Sequence, residues 1–312
     1  MDVWVQERNS GMKIKTILQL MRPVPLMIWS VPTVLLGFVL QPTRQSHWAI
    51  ELGIAIMGAL LLQGLVTHGL NDMFDWDSGT DRNTTGIISG GSRVLPDGLM
   101  TRVQMLRIVI VAAMAYLGLT AVFSIYRGPG VWLWAMLGLY GSIAYSVPPL
   151  RLSYRPYWGE WLALLPTMVS GVMLGGYAAS ALVSPRLLWG AAIYGAFCVA
   201  SVMQHHLSDM EADWLANPQK RTTPTYWQNA LHQSPLVIIL LYETLAIILA
   251  LIASFTVWTG FLLTVLAILA SMVVTRTTPL PSSPKTLTIR DLAIKLLSFS
   301  NVIALMILGL WH

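Results

Sequence analysis

Two short acidic segments, residues 71–81 and 209–213, hold half of the 14 Asp and Glu residues of this 312-residue chain. Their acidic members are Asp72, Asp75, Asp77, Asp81, Asp209, Glu211 and Asp213. Oxygen ligands suit Mg²⁺, which proteins usually bind through one or two carboxylates together with substrate phosphates. Two such segments that face each other therefore predict Mg²⁺ ions that hold a diphosphate group.

On its N-terminal side, each acidic segment extends into a polar stripe, because residues four apart share one face of a helix. The stripes are Gln63, Thr67, Asn71 and Asp75, and His205, Asp209 and Asp213. Like charges four apart repel each other, and a charged residue at mid-depth in a bilayer costs about 2.5–3.5 kcal/mol. We therefore expect cations at both stripes. The alternative is that these acids are ordinary helix-capping aspartates in solvated loops.

Basic residues follow each acidic segment and could neutralise a departing diphosphate. The candidates are Arg93 after Gly90-Gly91-Ser92, Arg151, Arg155, Lys220 and Arg221. The two glycines would also let backbone N–H groups approach an anion closely. The alternative for any one of these residues is a basic anchor at the membrane surface.

The composition indicates that a lipid bilayer surrounds these segments. Hydrophobic residues make up 55% of the chain and charged residues 11%, whereas about 25% are charged in an ordinary soluble domain. A soluble globular domain, a disordered chain and a collagen-like fibre are therefore excluded. Crossing a bilayer takes about 17–25 mostly apolar residues. We predict nine spans, near residues 24–40, 49–70, 102–126, 131–147, 158–182, 187–207, 235–255, 258–275 and 291–311.

Charge sorting sets the predicted orientation. With the N-terminus in the cytoplasm, only Arg44, Arg127 and Arg186 of the 19 Lys and Arg residues fall on the opposite side, as the positive-inside rule requires. Both acidic segments then lie at the cytoplasmic surface. We predict a single transmembrane domain over 1–312. Weak internal similarity divides it into two four-helix units, about 22–150 and 155–285, followed by a ninth helix at 291–311. A prokaryotic source would place it in the plasma membrane.

The motifs resemble those of the UbiA superfamily of intramembrane prenyltransferases. The stretch NDMFDWDSGTD at 71–81 resembles the first Asp-rich motif of that superfamily, and DMEAD at 209–213, followed by KRT at 220–222, resembles the second. Similar stretches are RP at 22–23, GGS at 90–92 and YSVPPL at 145–150. The glycine two residues before Asp81 and the DMEAD form look most like the menaquinone branch, which prenylates 1,4-dihydroxy-2-naphthoate.

The resemblance implies an all-α bundle of nine transmembrane helices around a central cavity that opens laterally to lipid. It implies an isoprenyl diphosphate donor, Mg²⁺, and an allylic cation that an aromatic carbon attacks. The expected partners are this donor, a hydrophobic or aromatic acceptor and membrane lipid. No nucleic acid and no obligatory protein partner are expected.

Site roles follow as hypotheses. The Mg²⁺ ligands are expected to be Asn71, Asp75, Asp209 and Asp213. The catalytic residues are expected to be Asp75, Asp209, Asp213 and Lys220. Substrate contacts are expected from Arg22, Asn71, Asp81, Arg155, Lys220, Arg221 and His205. Asp72 and Glu211 are further candidates, as metal ligands or as groups that support them.

The second motif departs from the branch pattern. His205, His206 and Ser208 stand where the branch usually has two asparagines and an arginine, and Ser153 replaces a basic residue for which Arg151 or Arg155 could substitute. These changes lie where the diphosphate and the acceptor are expected. Two buried acids, Glu160 and Glu243, could be functional groups or packing residues.

Two rival functions share much of this pattern. A UbiA-type terpene cyclase would use the same metal ligands without any acceptor. A divalent-cation transporter would need polar groups along a whole pathway, whereas the acids here cluster on one side. A CDP-alcohol phosphotransferase is excluded because its Asp-Gly-x-x-Ala-Arg signature is absent from the sequence.

Overall fold

The computed structural model describes residues 14–84 and 90–310, and within these ranges the chain forms helices and no β-strand. Short helices are Ile14–Met21, Thr80–Asn83, Met210–Leu215 and Thr223–Asn229. The long helices of the described ranges are α1 Pro23–Leu40, α2 Trp48–Ser78, α3 Arg102–Arg127, α4 Gly130–Ser146, α5 Glu160–Ala179, α6 Pro185–His206, α7 Pro235–Thr256, α8 Phe261–Arg276 and α9 Pro284–Leu310.

Each predicted span overlaps one long helix. Seven of these helices are long and apolar enough to cross a membrane, while α4 and α8, with 17 and 16 residues, are shorter. An all-helical bundle is therefore confirmed, whereas the count of nine spans and the two four-helix units stay predictions. The basic residues Arg8 and Lys13, and the end of the predicted span 291–311, lie outside the described residues.

Outward-facing side chains show which helix surfaces lipid would cover. Large apolar residues on α3, α4 and α7, among them Ile125, Leu133 and Phe255, are 80%, 64% and 82% exposed. A soluble protein rarely presents such contiguous apolar surface to water, and a bilayer gives it an apolar environment.

Helices α1 and α5 cross with their backbones in contact. A Cβ atom added at Gly37 would overlap the carbonyl of Val172, and one added at Gly175 would overlap that of Val34. Small residues at such crossings let membrane helices approach closely. The crossing fixes α1 against α5, and both helices contribute side chains to the cavity described below.

Three helices contain π-helical turns, at Leu26–Ser30 in α1, Leu62–Thr67 in α2 and Glu160–Leu164 in α5. Such turns are rare and often mark functional sites. Each of the three contributes residues to one cavity: Trp29, Gln63, Thr67, Ala163 and Leu164. The widened turns therefore surround a common space.

The two acidic segments differ in backbone conformation. Helix α2 continues through the first segment to Ser78. Helix α6 ends at His206, and Asp209 precedes a new helix, Met210–Leu215. The predicted continuous stripe from His205 to Asp213 is therefore wrong. Acids at a helix C-terminus oppose the helix dipole, whereas the break places Glu211 and Asp213 in a first turn, where negative charge is favoured.

Candidate active site in the helix bundle

A cavity of about 180 Å³ lies inside the bundle. One end, here called the polar end, is lined by Arg22, Asn71, Asp75, Asp81, Asp209 and Lys220. Elsewhere the wall includes the aromatic and apolar residues Trp29, Leu164, Met168 and Val202. The cavity can therefore hold a molecule with a charged head and an apolar body.

All four residues of the first predicted stripe line this cavity. Gln63 and Thr67 come from the π turn of α2, and Asn71 and Asp75 come from the α-helical turns that follow. The Nδ2 atom of Asn71 donates to Oδ2 of Asp75 at 2.7 Å. The spacing of the stripe in the sequence therefore predicted its common face.

Lys220 joins the two acidic segments. Its Nζ lies 2.7 Å from Oδ2 of Asp75 in the first segment and 3.6 Å from Oδ1 of Asp213 in the second. The side chains are 7%, 5% and 0% exposed, respectively. The segments also meet through their backbones, since the Asn217 N–H donates to the carbonyl of Ser78 at 2.8 Å. The sequence prediction that the two segments face each other is therefore met in the fold.

The charges around Lys220 are strongly coupled. Burial alone would lower the pKa of Lys220, but the carboxylates of Asp213 and Asp75 raise it above its ordinary value. Lys220 is therefore a permanent cation. Burial, assisted by the neighbouring carboxylates of Asp75 and Asp72, raises the pKa of Asp81 to about 8.

A second cation, Arg22, lies at the same end. It forms an ion pair with Asp72, whose other oxygen accepts hydrogen bonds from the backbone N–H and the hydroxyl of Ser92. Gly91 lies against this group with φ +73°, and a Cβ there would overlap Asp81 and approach Oδ1 of Asp72 to 2.9 Å. The Gly-Gly-Ser loop thus packs against the polar end, and a side chain at position 91 would be strained and would displace these carboxylates.

Tyr154 is a site residue that sequence analysis missed. Its hydroxyl donates to Oδ1 of Asp75 at 3.0 Å and lies 2.9 Å from the Ser78 hydroxyl. The ring also lies 5.8 Å from the Nζ of Lys220. Tyr154 belongs to a short 3₁₀ turn after the Pro-Pro loop, and its position in the sequence gave no sign of a contact with α2.

The second segment contributes Asp209 to the cavity wall, and the last turn of α6 contributes His205, whereas Asp213 lies behind the wall against Lys220. His205 is held by α9, where its Nδ1 lies 2.9 Å from Oδ2 of Asp291. Lys295, one turn further along α9, contacts the same carboxylate and lines the cavity. Asp291 and Lys295 were not predicted as site residues, because nothing in the α9 sequence marks them.

Two predicted substrate contacts lie away from the cavity wall. Arg155 is exposed and donates to the Pro149 carbonyl, and Arg221 is exposed and donates to Gln219. Arg151 lies over the rings of Phe74 and Tyr154 instead. The further candidate Glu211 is exposed on a different surface.

The remaining buried acids have local partners. Glu243 accepts hydrogen bonds from Ser271 and Thr275 on α8, and Glu160 is hydrogen-bonded to Thr223. These contacts agree with the packing alternative for both residues.

The polar end has the donor chemistry that a magnesium ion needs. Among residues 14–84 and 90–310, no three His, Cys, Asp or Glu side chains form a complete metal site by themselves. Asn71, Asp75 and Asp209 nevertheless line one cavity with amide and carboxylate oxygens, which suit Mg²⁺. Few protein ligands are expected, because Mg²⁺ usually keeps several waters and substrate phosphates.

Residues 30–289 match the UbiA prenyltransferase family. The match covers most of the chain, so the protein belongs to that family and is a prenyltransferase by family. Together with the seven apolar helices, this membership identifies an integral, multi-pass membrane protein.

Similar proteins are known by sequence and by structure. A lycopene elongase/hydratase from Corynebacterium glutamicum is 25% identical over 212 residues, which are 66% of this chain and 67% of that protein. The fold resembles that of a UbiA homolog from Archaeoglobus fulgidus bound to GPP and Mg²⁺, with a TM-score of 0.69 and 17% identity over 93% of this chain and 99% of that chain. A digeranylgeranylglyceryl phosphate synthase structure gives a TM-score of 0.65 and 15% identity over 96% and 99%.

Proposed function

We propose that the protein transfers an isoprenyl group from an isoprenyl diphosphate to a hydrophobic acceptor in the membrane, with Mg²⁺ as cofactor. The observation that carries this proposal is the position of Lys220 between the two acidic segments, at the polar end of a cavity whose wall also includes the apolar residues Leu164, Met168 and Val202. The solved A. fulgidus relatives contain GPP or DMAPP with Mg²⁺, which supports the same donor class here.

The polar end would hold the diphosphate and its metal. Asn71, Asp75 and Asp209 supply oxygen ligands, and Asp213 holds Lys220 in place. When bound, Mg²⁺ would neutralise the charge that develops on the departing diphosphate. Lys220 and Arg22 contribute fixed positive charge at the same end, and such electrostatic stabilisation is usually the largest catalytic term.

The rest of the cavity would protect the allylic cation. Water would capture this cation, so the apolar wall formed by residues such as Leu164 and Met168 favours transfer over hydrolysis. The ring of Trp29 also lines the cavity and could stabilise positive charge through its face. Arg155 and Arg221, which lie outside the wall, are assigned to the membrane surface.

Two classes of acceptor are candidates. An aromatic acceptor of the dihydroxynaphthoate type is the sequence prediction. Similarity to lycopene elongase/hydratase adds a polyene as a second class of acceptor. The charges of the cavity favour the polyene, because the cations Arg22, Lys220 and Lys295 are each already paired with a carboxylate of the protein. A neutral acceptor needs no further cation, whereas dihydroxynaphthoate carries its own carboxylate. We therefore place the polyene first.

The deciding experiment uses purified protein in lipid nanodiscs. Dimethylallyl, geranyl and geranylgeranyl diphosphates are supplied with Mg²⁺ and with no acceptor, lycopene or 1,4-dihydroxy-2-naphthoate. We expect diphosphate release and a prenylated acceptor by mass spectrometry, and loss of both with EDTA. Terpenes formed from the donor alone would instead identify a cyclase, and Mg²⁺ flux into sealed vesicles without diphosphate release would identify a transporter.

The proposal includes an orientation. We place the polar end at the cytoplasmic face with the N-terminus inside, because the predicted loops on that side carry all but three of the Lys and Arg residues. In a prokaryotic source the membrane would be the plasma membrane.

A further inference from the structure

His205 lies at the cavity wall with a carboxylate behind it. Its side chain is 27% exposed and lines the cavity, while Asp291 is only 5% exposed. The Nδ1 atom of His205 lies 2.9 Å from Oδ2 of Asp291. A carboxylate accepts and does not donate, so Nδ1 carries the hydrogen of this bond. In the neutral imidazole that carries its hydrogen on Nδ1, the other ring nitrogen, Nε2, is the proton acceptor.

Lys295 completes the cluster. Its Nζ contacts the same Asp291 oxygen and lies 3.4 Å from Nδ1 of His205. The ammonium pairs with Asp291, so this carboxylate has a counter-ion besides the imidazole. Lys295 also lies 5.7 Å from the centre of the Trp29 ring, on the cavity wall. The cluster therefore faces the part of the cavity assigned above to the allylic cation.

The other cavity histidines are held differently. His206 shares its Nε2 with the hydroxyl of Tyr145, and its Nδ1 is buried without a hydrogen bond. His68 contacts the Met21 carbonyl through Nδ1 and the Gln63 amide through Nε2. Of these three, only His205 has a carboxylate that orients the ring and stabilises its protonated form, the arrangement that makes histidine an effective general base.

We propose that His205, oriented by Asp291, is the base that ends the transfer reaction by removing a proton from the prenylated acceptor. The donor C–O bond breaks and its electron pair leaves with the diphosphate. A double bond of the acceptor supplies the pair for the new C–C bond and becomes a cation. A neighbouring C–H bond then breaks, its electrons re-form a double bond, and the proton passes to Nε2 of His205. The proton then passes from Nε2 to water or to the departing diphosphate before the next turnover.

This inference rests on the proposed function and concerns its last step alone. A general base contributes about 10²–10⁴-fold to a proton transfer, whereas ionisation of the donor depends on the polar end. Loss of the base should therefore separate the two steps. Without the base the acceptor cation keeps its proton, so the new C–C bond breaks again and returns its electron pair to the acceptor. Water then captures the regenerated donor cation and loses a proton, and prenyl alcohol would replace the prenylated acceptor.

The test compares His205→Asn with the wild type. The donor is dimethylallyl diphosphate with Mg²⁺, and the acceptor is lycopene or dihydroxynaphthoate, whichever the wild type prenylates. Diphosphate release, prenylated acceptor and prenyl alcohol are each quantified in the same reaction. We expect diphosphate release within about threefold of the wild type, a fall of about 100-fold in prenylated acceptor, and prenyl alcohol in its place.

Two further variants separate a base from a structural residue. Asp291→Asn keeps the ring and removes its orienting carboxylate, so we expect the same change in products to a smaller extent. In His205→Ala, added imidazole should restore prenylated acceptor at least fivefold, whereas it should not do so in His206→Ala. The exposed His232→Asn is the matched control and should behave as the wild type.

The outcomes are distinct. Parallel loss of diphosphate release and prenylated acceptor in both His205→Asn and Asp291→Asn would overturn the base assignment, as would unchanged products in both. A wild-type protein that releases no diphosphate from any donor would overturn the proposed function, and the inference with it.

Discussion

Lys220 and Asp75 show how single residues set the chemistry of the cavity. A buried ion pair gains little net stability, because desolvation of its charges offsets their attraction. This pair instead places an acid of the first segment and a cation that follows the second segment at one end of the cavity. Asp75 also accepts hydrogen bonds from Asn71 and Tyr154, so helix α2, the 3₁₀ turn at Tyr154 and the segment that carries Lys220 meet at this side chain.

The first prediction concerns Asp75. In Asp75→Asn the side chain keeps its size but loses the charge that would hold Mg²⁺ and Lys220, so Mg²⁺-dependent diphosphate release should fall at least 100-fold. The matched control is Asp77→Asn, because Asp77 belongs to the same segment but is exposed and pairs with Arg102 at the surface. Diphosphate release by the control should stay within about twofold, and equal loss in both variants would contradict the site assignment.

At the scale of elements, the loop at 90–92 is fixed by close packing. Gly91 has φ +73° and lies against Asp72 and Asp81, whereas Gly98 has φ +64° and open space around it. A larger residue would strain the backbone at both positions, but only at position 91 would it also disturb the polar end. Comparing substitutions at Gly91 and Gly98 therefore separates the effect of backbone strain from that of contact with the site.

The second prediction uses this pair. Gly91→Ala should lower Mg²⁺-dependent diphosphate release at least tenfold, because its Cβ displaces Asp81 and Asp72. Gly98→Ala carries a similar backbone penalty of about 1–2 kcal/mol but should keep its activity per folded molecule. Thermal unfolding followed by tryptophan fluorescence supplies the stability comparison. Full activity in Gly91→Ala would show that the loop does not position these acids.

Three helices are joined at the opposite end of the bundle by a buried ion pair. Arg127 at the end of α3 contacts Glu51 in the first turn of α2, and it also donates to the Ala178 carbonyl of α5. Both side chains are almost fully buried. This contact is far from the polar end along α2, so it should affect stability without affecting chemistry.

The third prediction follows from that contact. Glu51→Ala leaves Arg127 buried without its counter-ion, which should lower the free energy of unfolding by about 3 kcal/mol in an SDS titration. Asp97→Ala breaks the exposed pair between Arg93 and Asp97, whose side chains are 48% and 47% exposed, and should cost less than about 1 kcal/mol. Similar costs in both variants would contradict a buried pair at Arg127.

For the whole molecule, the number of membrane crossings is decided by α4 and α8. Nine spans would put residues 97 and 182 on opposite sides of the bilayer, because α3, α4 and α5 lie between them. If α4 and α8 did not cross, the two residues would share a side. The single native cysteine, Cys198, is buried and leaves a low background for labelling.

The fourth prediction tests this topology with a membrane-impermeant maleimide on intact cells. Leu182→Cys should react, while Asp97→Cys and Ser283→Cys should react only after the membrane is opened. All three positions are exposed. Labelling of all three from one side would indicate seven crossings. Labelling of Asp97→Cys and Ser283→Cys, but not of Leu182→Cys, from outside would contradict the cytoplasmic polar end.

The membrane bundle and much of the polar end follow from local patterns in the sequence. Apolar runs of spanning length have few other stable structures, because backbone polar groups in lipid must be satisfied within helices. Spacing of four residues placed Asn71 and Asp75 on one face, and α2 remains helical there, so Gln63 and Thr67 follow on the same wall. Local periodicity was sufficient wherever one helix carried the whole pattern.

The tertiary structure decided what lies between helices. The break after His206 turns Asp213 away from the cavity toward Lys220, because acids are unfavourable at a helix C-terminus and favourable at an N-terminus. Tyr154, Asp291 and Lys295 reach the site from distant segments, and exposed Arg155 and Arg221 do not reach it. Such contacts depend on how helices cross and where loops return, which the periodicity of any one segment does not encode.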